Sequence, residues 1–351
     1  MLVSRRPYTT IFLLVGIVIA TASAQTVRQK GNPHRGSTTR NRASVESEQQ
    51  KINKLLTSGK AANRQGKRHE ALAFYEQALV LARRSRDRRL EASALINIGV
   101  VYGQTGPYDQ AASFLRQALV LCREIGYREL EARSLDALGT LHNTLNEQVK
   151  ALDFYRQALA IERQTRDAEG ETLTLNNIAL ALAKLGDKEQ ALIYYGQSLV
   201  LARKLNQTYT IATTLNNIGM IYRELDKHEQ AVDYFQESLQ LSRSITFATG
   251  EGDALHNLGA VYSEVGDDKR AMAYFQQALR IWRATSDRSG EALMLSNIAV
   301  LYSRAGDIER AVRLMRESAE IYEQIGDRAR AANMRARIER LLSTSQPGKS
   351  K

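Results

Sequence analysis

Residues 253–292 read DALHNLGAVYSEVGDDKRAMAYFQQALRIWRATSDRSGEA, and the same pattern recurs every forty residues along most of the 351-residue chain. One position is always alanine, and its seven occurrences are Ala71, Ala111, Ala151, Ala191, Ala231, Ala271 and Ala311. A large apolar or aromatic side chain follows three residues later, and a small one follows seven residues later. Self-similarity with a fixed period of this length indicates a repeat protein, in which neighbouring repeats bury each other's apolar faces.

Each repeat contains two helical patterns joined by a short polar turn. In the repeat before the quoted one, Leu215, Ile218 and Ile221 recur at spacings of three, which places them on one face of a helix. The pair Asp226-Lys227 forms the predicted turn, and other repeats have Gly-Asp at this place. Glycine supplies the left-handed residue that ends a helix, and aspartate caps the helix that follows.

The small residues have a predicted role in packing. Gly219 and Ala231 are expected where the two helices of one repeat cross, because a close approach leaves no room for larger side chains. An aromatic residue, Tyr234 or Phe235, is expected to fill the space beside them.

The repeat resembles the tetratricopeptide repeat family. The resemblance rests on leucine, glycine and tyrosine in the first helix and on alanine, an aromatic residue and alanine in the second. In the quoted repeat these residues are Leu255, Gly259, Tyr262, Ala271, Phe275 and Ala278. The usual unit of that family has about 34 residues and ends in proline, whereas this repeat is longer and lacks the proline, as in kinesin light chains and Pins-type scaffolds. The resemblance implies an all-α, right-handed superhelical solenoid of about seven helix-turn-helix repeats with a C-terminal capping helix.

The register divides the chain into consecutive segments. The predicted boundaries are a signal peptide at 1–24, a disordered basic linker at 25–45, seven repeats within 46–332 (53–92, 93–132, 133–172, 173–212, 213–252, 253–292 and 293–332), a capping helix at 333–342 and a disordered tail at 343–351.

The N-terminus has the features of a secretory signal peptide. Arg5 and Arg6 precede the apolar run Ile11–Ala20, and small residues up to Ala24 form a cleavage site. The apolar run is shorter than the roughly 20 residues of a transmembrane helix. We therefore expect an exported protein, periplasmic or secreted, that is cleaved after Ala24; the alternative is an uncleaved N-terminal membrane anchor.

The charge distribution argues against nucleic-acid binding. The formal net charge is +11, but the excess of basic residues lies in the terminal segments and not on the repeats. Nucleic-acid-binding proteins usually cluster their basic residues on a folded face. The linker could still contact an anionic membrane or cell-wall surface. One dense basic run, Arg83–Arg89, is interpreted as a solvated helix end, with an anion-docking patch as the alternative.

Asparagine recurs two residues before the glycine position of the first helix, at Asn97, Asn177, Asn217, Asn257 and Asn297. Asparagine is a mediocre helix former, so helix propensity does not explain five in register. An amide offers a donor and an acceptor together, which matches one peptide group of an extended chain. The resemblance places this position on the concave face, where the asparagines would bind a peptide. The alternative is that they join neighbouring helices.

Further positions are assigned to the same concave face by the resemblance. They are polar at Asn176, Asn216 and His256 and apolar at Val100, Leu180, Met220 and Val300. Amides beside aliphatic side chains suit an extended peptide with small apolar residues. Basic residues are nearly absent from these positions, so a pocket for a free carboxylate is not expected.

No motif for catalysis or cofactor binding is present. The chain has no phosphate-binding glycine loop, no nucleophile elbow and no HExxH sequence, and its five histidines are scattered. His142 is expected in the core, and Cys122 is expected to be an inert buried thiol. We therefore predict no catalytic residue, cofactor or metal site. The predicted function is that of an extracytoplasmic scaffold that binds an extended peptide segment of a partner protein. The alternatives are an oligomerisation scaffold without a groove ligand and a regulatory subunit of a separately encoded envelope enzyme.

Overall fold

The computed structural model describes residues 38–344, with side chains described for residues 48–343. All regular secondary structure in this part of the chain is α-helical, which confirms the predicted all-α fold class. The predicted signal peptide and the tail beyond residue 344 lie outside the described residues. The helices are α1 (Thr38–Arg64), α2 (Arg68–Ser85), α3 (Arg88–Thr105), α4 (Tyr108–Ile125), α5 (Arg128–Thr144), α6 (Gln148–Thr165), α7 (Ala168–Leu185), α8 (Lys188–Lys204), α9 (Thr208–Glu224), α10 (His228–Ser244), α11 (Ala248–Glu264), α12 (Asp268–Ala284), α13 (Arg288–Arg304), α14 (Ile308–Gln324) and α15 (Arg328–Thr344).

The helices follow the period read from the sequence. Odd-numbered helices from α3 onward begin every forty residues, and so do the even-numbered helices. The predicted repeat boundaries fall inside the odd-numbered helices, since α3 begins at Arg88 and the boundary was placed at residue 93. We call the odd-numbered helices first helices and the even-numbered ones second helices.

Both ends of the helical array differ from the sequence-based boundaries. Helix α1 includes residues 38–45, which the linker prediction had left without regular structure, while residues 25–37 lie outside the described part. Helix α15 begins at Arg328, in register with α13 at Arg288, so the predicted capping helix is the first helix of a further repeat. It buries Met334 and Ile338 against α13 and α14.

The turns have the predicted chemistry. Gly186 ends α7 in the left-handed conformation with φ of 89°, and Oδ1 of Asp187 accepts a hydrogen bond of 3.1 Å from the backbone N–H of Gln190. A left-handed residue recurs at every turn, that is, every twenty residues from residue 66 to residue 326. Seven of these turn residues are not glycine: Arg86, Asn146, Arg166, Asn206, Asp226, Thr246 and Ser286.

The helix crossing within a repeat confirms the role of the small residues. A Cβ atom on Gly219 would lie 2.7 Å from the ring of Phe235, so α9 and α10 can approach this closely only at glycine. Phe235 is fully buried. Tyr234 instead stacks on Tyr222, with ring centroids 5.2 Å apart. The aromatic residue that fills the crossing is therefore Phe235.

The chain divides into two compact units, and the division falls within α8: the N-terminal unit ends at Leu201 and the C-terminal unit begins at Ala202. Within each unit, successive repeats are joined by a recurring ion pair from the end of a second helix to the start of the next first helix. The pairs are Arg123–Glu131 and Arg163–Glu171 in the N-terminal unit, and Arg243–Glu251 and Arg283–Glu291 in the C-terminal unit, with N–O distances of 2.8 to 3.0 Å. Charged side chains at the repeat boundaries therefore connect neighbouring repeats.

Candidate functional site

The predicted binding residues all lie on first helices. In the N-terminal unit α1, α3, α5 and α7 are consecutive neighbours, and in the C-terminal unit α9 neighbours α11. We define the first-helix face by Ser93, Ile96, Asn97 and Val100 of α3 and by the residues in the same register on the other first helices. Each unit has its own first-helix face.

Two of the five asparagines join neighbouring first helices. In the N-terminal unit, Nδ2 of Asn177 donates a 2.9 Å hydrogen bond to Oδ1 of Asp136. In the C-terminal unit, Nδ2 of Asn257 donates a 3.0 Å hydrogen bond to Oδ1 of Asn216. All four residues are buried. At these two positions the asparagine contributes to stacking of the repeats, which is the alternative that the sequence left open.

Asn97 differs from these two asparagines in its neighbour. The residue of the preceding first helix that corresponds to Asp136 and Asn216 is Leu56, which has no polar atom to bind an amide. Asn97 makes no hydrogen bond among the described residues, although only 5% of its surface is exposed. Its amide therefore retains a free donor and a free acceptor on the first-helix face.

The remaining predicted site residues divide by burial. Those that are buried are Asn176, Leu180, Asn217 and Met220. Those that are partly exposed are Val100, His256, Asn297 and Val300. A ligand on the first-helix face can reach the second group directly, so the binding role stays a prediction for these residues and for Asn97.

His256 is held as a neutral imidazole. Burial, followed by the positive charge of Arg223, lowers its pKa to about 4. The ring lies 6.1 Å from the ring of Phe275, centroid to centroid. A neutral imidazole on this face can offer one donor and one acceptor to a ligand.

The N-terminal unit buries two carboxyl groups that no sequence motif indicates. Oγ1 of Thr174 lies 2.9 Å from Oε1 of Glu162 and 3.4 Å from Oδ1 of Asp136. Burial, followed by the charge of Asp136, raises the pKa of Glu162 to about 8. Burial raises the pKa of Asp136 to about 6 against the opposing effect of hydrogen bonds from Asn177 and Thr174.

Three basic residues lie on first helices of the N-terminal unit. They are Lys60 and Arg64 of α1 and Arg133 of α5. Burial, followed by the charges of Arg133 and Arg64, lowers the pKa of Lys60 to about 8. Burial lowers the pKa of Arg133 as well. None of the three makes an ion pair or a hydrogen bond within the described part of the chain.

In the C-terminal unit an acidic residue holds the register of Arg133. Burial raises the pKa of Asp253 to about 8, and the charge of Asp287 contributes. The corresponding residues of other repeats are Ser93, Leu173, Thr213 and Leu293. A charge that interrupts a neutral register is therefore the sequence signal for both Arg133 and Asp253.

The two residues with reactive side chains that the sequence singled out are buried, as predicted. Cys122 is fully buried with its Sγ 3.9 Å from Oγ of Ser134, and burial raises the pKa of the thiol. Nδ1 of His142 lies 2.6 Å from Oε2 of Glu147, and its ring stacks on Phe154 at 5.2 Å. Within residues 48–343, no group of three His, Cys, Asp or Glu side chains could hold a metal ion. None of the described helices combines the length and apolar character needed to cross a membrane.

Much of the basic run is engaged within the N-terminal unit. Nε of Arg83 lies 2.9 Å from Oε1 of Glu91, and Arg88 forms an ion pair with Glu124. The guanidinium carbon of Arg89 lies 4.6 Å from the centre of the Tyr127 ring. These contacts to α3, α4 and the turn before α5 support the interpretation of the run as a helix end.

Comparison with known proteins gives one family. A sequence model described as tetratricopeptide repeat matches residues 50–124, 90–164, 170–244, 210–284 and 251–324. No curated protein sequence matches the chain.

Several solved structures are similar in fold. BtubC (BKLC) from P. vanneervenii has 22% identity, with 68% of this chain and 92% of that one covered and a TM-score of 0.52. A Rap protein complexed with Competence and Sporulation Factor has 14% identity, with 84% and 98% covered and a TM-score of 0.56. NprR in complex with its cognate peptide NprX has 14% identity, with 86% and 90% covered and a TM-score of 0.56. At these identities the similarity shows the fold alone.

Proposed function

Because this chain belongs to the tetratricopeptide repeat family, we propose that it is a non-enzymatic scaffold that binds an extended peptide segment of a partner protein on its first-helix face. Repeat proteins present long surfaces built from equivalent helices, and such surfaces suit extended ligands. The solved complex of NprR with its cognate peptide supports peptide binding on a similar fold.

The observation that carries the proposal is the free amide of Asn97. A donor and an acceptor on one planar group pair with the C=O and N–H of a peptide backbone, whatever the side chains of that peptide. Val100 lies one helical turn further along the same face and is partly exposed, so it can contact an apolar side chain of the ligand. Together they form a mixed polar and apolar surface for an extended chain.

We further propose that the protein acts outside the cytoplasm. The basis is the order of a basic segment, an apolar run and small residues in residues 1–24. Mass spectrometry of the protein isolated from its native cells tests this directly. We expect a mature N-terminus at Gln25 in the envelope or secreted fraction. A chain that retains Met1 in the cytoplasmic fraction would contradict export.

Peptide binding is tested with the mature chain on an array of short peptides of random sequence. We expect a subset of peptides to bind, and Asn97→Ala to weaken them about tenfold, the value of one or two hydrogen bonds to a backbone group. The matched control is Gln77→Ala, which removes an exposed amide from α2, outside the first-helix face. Absence of binding by the unaltered chain, or equal loss in both variants, would contradict the proposal.

Self-association is a second candidate function, and a specific surface favours it. Val80, Val120 and Val200 occupy one register of the second helices of the N-terminal unit and are 65%, 56% and 72% exposed. Exposed aliphatic side chains that recur in one register of a repeat protein can form an interaction surface. Sedimentation velocity of the unaltered chain and of Val120→Lys distinguishes the cases, because a monomer in both samples excludes this candidate.

A further inference from the structure

We propose that two copies of the chain associate through the exposed faces of α2 and α4, with α2 of each copy lying parallel to α4 of the other. This inference rests on self-association, the second candidate above, and names the two helices that meet. It leaves the first-helix face free in both copies, so it does not depend on peptide binding.

One exposed stripe runs along the outer side of each of these two helices. Its members recur every three or four residues and are centred on Val80 in α2 and on Val120 in α4. All of them are exposed, and they are His69, Ala73, Glu76, Val80 and Arg84 in α2 and Asp109, Ser113, Arg116, Val120 and Glu124 in α4. Successive repeats present the same register on the same side of a repeat protein. The two stripes therefore form one continuous surface.

The order of charges along the stripe is reversed between the two helices. Helix α2 has glutamate, valine and arginine in that order, whereas α4 has arginine, valine and glutamate; these residues are Glu76, Val80, Arg84, Arg116, Val120 and Glu124. When α2 of one copy faces α4 of the other in the same direction, each glutamate meets an arginine and the two valines meet each other. His69, at the start of α2, then faces Asp109. The surface is therefore complementary to itself.

This pairing fits a two-fold symmetric dimer. A rotation axis parallel to the helices, midway between α2 and α4, brings each of them against the other helix of the second copy, so every contact is made twice. An antiparallel contact between the two α2 helices would also join glutamate to arginine. That contact needs no reversal of charge between α2 and α4, and it does not bring His69 to Asp109. The reversed order therefore favours the contact of α2 with α4.

The charges of the stripe are largely unused within one chain. Among the described residues, the side chains of Glu76, Arg84 and Arg116 make no ion pair or hydrogen bond. Glu124 pairs with Arg88 through Oε2, which leaves Oε1 for a second cation. Exposed ion pairs contribute little affinity, so these charges set the direction and register of the contact. Burial of the valines supplies the attraction.

The other second helices lack this pattern. The residues that correspond to the glutamate, valine and arginine of α2 are Arg156, Ala160 and Gln164 in α6, Gly196, Val200 and Lys204 in α8, Gln236, Gln240 and Ser244 in α10, Gln276, Arg280 and Ala284 in α12, and Arg316, Glu320 and Gln324 in α14. No other two consecutive second helices have opposite charges on both sides of an apolar residue. The contact is therefore confined to α2 and α4, and an interface of two helices from each copy suits a dimer that forms in the micromolar range.

Reversal of single charges tests which helices meet. In the mature chain, Glu76→Arg places an arginine against Arg116 of the other copy, and Arg116→Glu places a glutamate against Glu76. Each variant alone is expected to dimerise about a hundredfold more weakly than the unaltered chain, because like charges then meet twice. In an equimolar mixture, the new arginine of one variant meets the new glutamate of the other, and the remaining Arg116 meets the remaining Glu76. We expect the mixture to recover the dimer in sedimentation velocity over a range of concentrations.

The matched control makes the same charge changes elsewhere. Asp233→Arg and Arg280→Glu alter exposed residues of α10 and α12 in the C-terminal unit. Each is expected to dimerise as the unaltered chain does, which excludes an effect of net charge. Thermal melting shows that the variants are folded, and we expect no change because all four altered side chains are exposed.

The outcomes separate this inference from peptide binding and from self-association in general. If the unaltered chain is a monomer at all concentrations, the inference and the self-association candidate are both wrong. If the dimer forms equally well in Glu76→Arg, the copies associate through another surface. If the mixture stays monomeric and the double variant Glu76→Arg with Arg84→Glu dimerises, the two α2 helices meet each other and the inference is wrong. The peptide array with Glu76→Arg is expected to match the unaltered chain, so a failure of peptide binding leaves the dimer unaffected.

Discussion

Asn257 on α11 donates a 3.0 Å hydrogen bond through Nδ2 to Oδ1 of Asn216 on α9, and both amides are buried. The same Asn257 accepts a 3.3 Å hydrogen bond from Nη1 of Arg223 through its own oxygen. One side chain thus satisfies a donor and an acceptor inside the C-terminal unit. Asn97 holds the same register in the N-terminal unit but makes neither hydrogen bond. On the preceding first helix, the position of Asn216 is held by Leu56, which has no polar side-chain atom. A single register position therefore serves repeat stacking in one place and remains available for a ligand in another.

This difference predicts opposite results for two identical substitutions. Asn257→Ala is expected to lower the free energy of unfolding by about 2 kcal/mol, because it leaves the buried Asn216 oxygen without its donor. Asn97→Ala is expected to change it by less than about 0.5 kcal/mol, since no hydrogen bond is lost. Urea titration followed by circular dichroism measures both. Equal destabilisation by the two variants would show that the register has one role throughout.

The crossing of α9 and α10 predicts a strong response to a single methyl group. A Cβ at Gly219 would lie 2.7 Å from the Phe235 ring, so Gly219→Ala is expected to destabilise the protein by about 1 to 3 kcal/mol. The matched control is Gly196→Ala on α8, where a Cβ meets nothing within 4 Å. That variant is expected to be slightly more stable, by up to about 1 kcal/mol, because alanine favours the helix.

A second variant shows whether the close contact is the cause. In α13 and α14, Ala299 and Met315 hold the positions of Gly219 and Phe235 and belong to one core cluster, so a methyl group is compatible with a flexible partner. The double variant Gly219→Ala with Phe235→Met is expected to recover part of the stability lost in Gly219→Ala. If the double variant loses the sum of the two single effects, the ring contact does not explain the cost. Thermal melting by calorimetry gives the comparison.

The sequence predicted those features that repeat with the period. Gly186 and Asp187 are a turn glycine and a helix cap, and the structure shows both, because turn chemistry depends on a few adjacent residues. The sequence also predicts Gly219 at a helix crossing, because a close contact between the two helices of one repeat limits the size of the side chain there. Local rules of this kind need no knowledge of neighbouring repeats.

Features that break the period were not predicted. Arg133 acts electrostatically on Lys60, which lies two first helices earlier and more than seventy residues away in sequence. The position of Glu162 is held in other repeats by Ala82, Cys122 and Ala202, all of which are buried. The fold therefore buries Glu162, although its carboxyl group is polar and ionisable. Alignment of the repeats shows the role that most residues at one position share. The environment of a charged residue that departs from this role depends on side chains from several helices.

The left-handed turns predict a stabilising substitution. Thr246 has φ of 53°, a conformation that a β-branched residue adopts only with strain, whereas Gly266 holds the left-handed position of the next turn, between α11 and α12, at φ of 83°. Thr246→Gly is expected to raise the free energy of unfolding by about 1 kcal/mol. Gly266→Thr, the reverse change, is expected to lower it by a similar amount. Chemical denaturation of both variants measures the effect, and a loss of stability in Thr246→Gly would show that the turn is not strained.

Glu162 predicts a pH dependence of stability. Its pKa rises from 4.5 to about 8 in the folded protein, chiefly because of burial, and Oε2 has no hydrogen-bond partner among the described residues. The folded state therefore keeps a proton that the unfolded state releases above about pH 4.5, so this group costs stability progressively as the pH rises from about 4.5 to about 8. Asp136 acts in the same direction up to about pH 6.

Glu162→Gln removes the titrating group and keeps an oxygen that can accept the hydrogen bond from Thr174. We expect this variant to be more stable than the unaltered protein at pH 8, by on the order of 2 kcal/mol, and nearly equal to it at pH 5, because Glu162 is then protonated in the folded state. The control is Glu76→Gln on the exposed side of α2, which should leave the pH dependence unchanged. Unfolding titrations at pH 5 and pH 8 give both differences. A Glu162→Gln variant that loses stability equally at the two pH values would show that Glu162 is charged in the fold and stabilised by its surroundings.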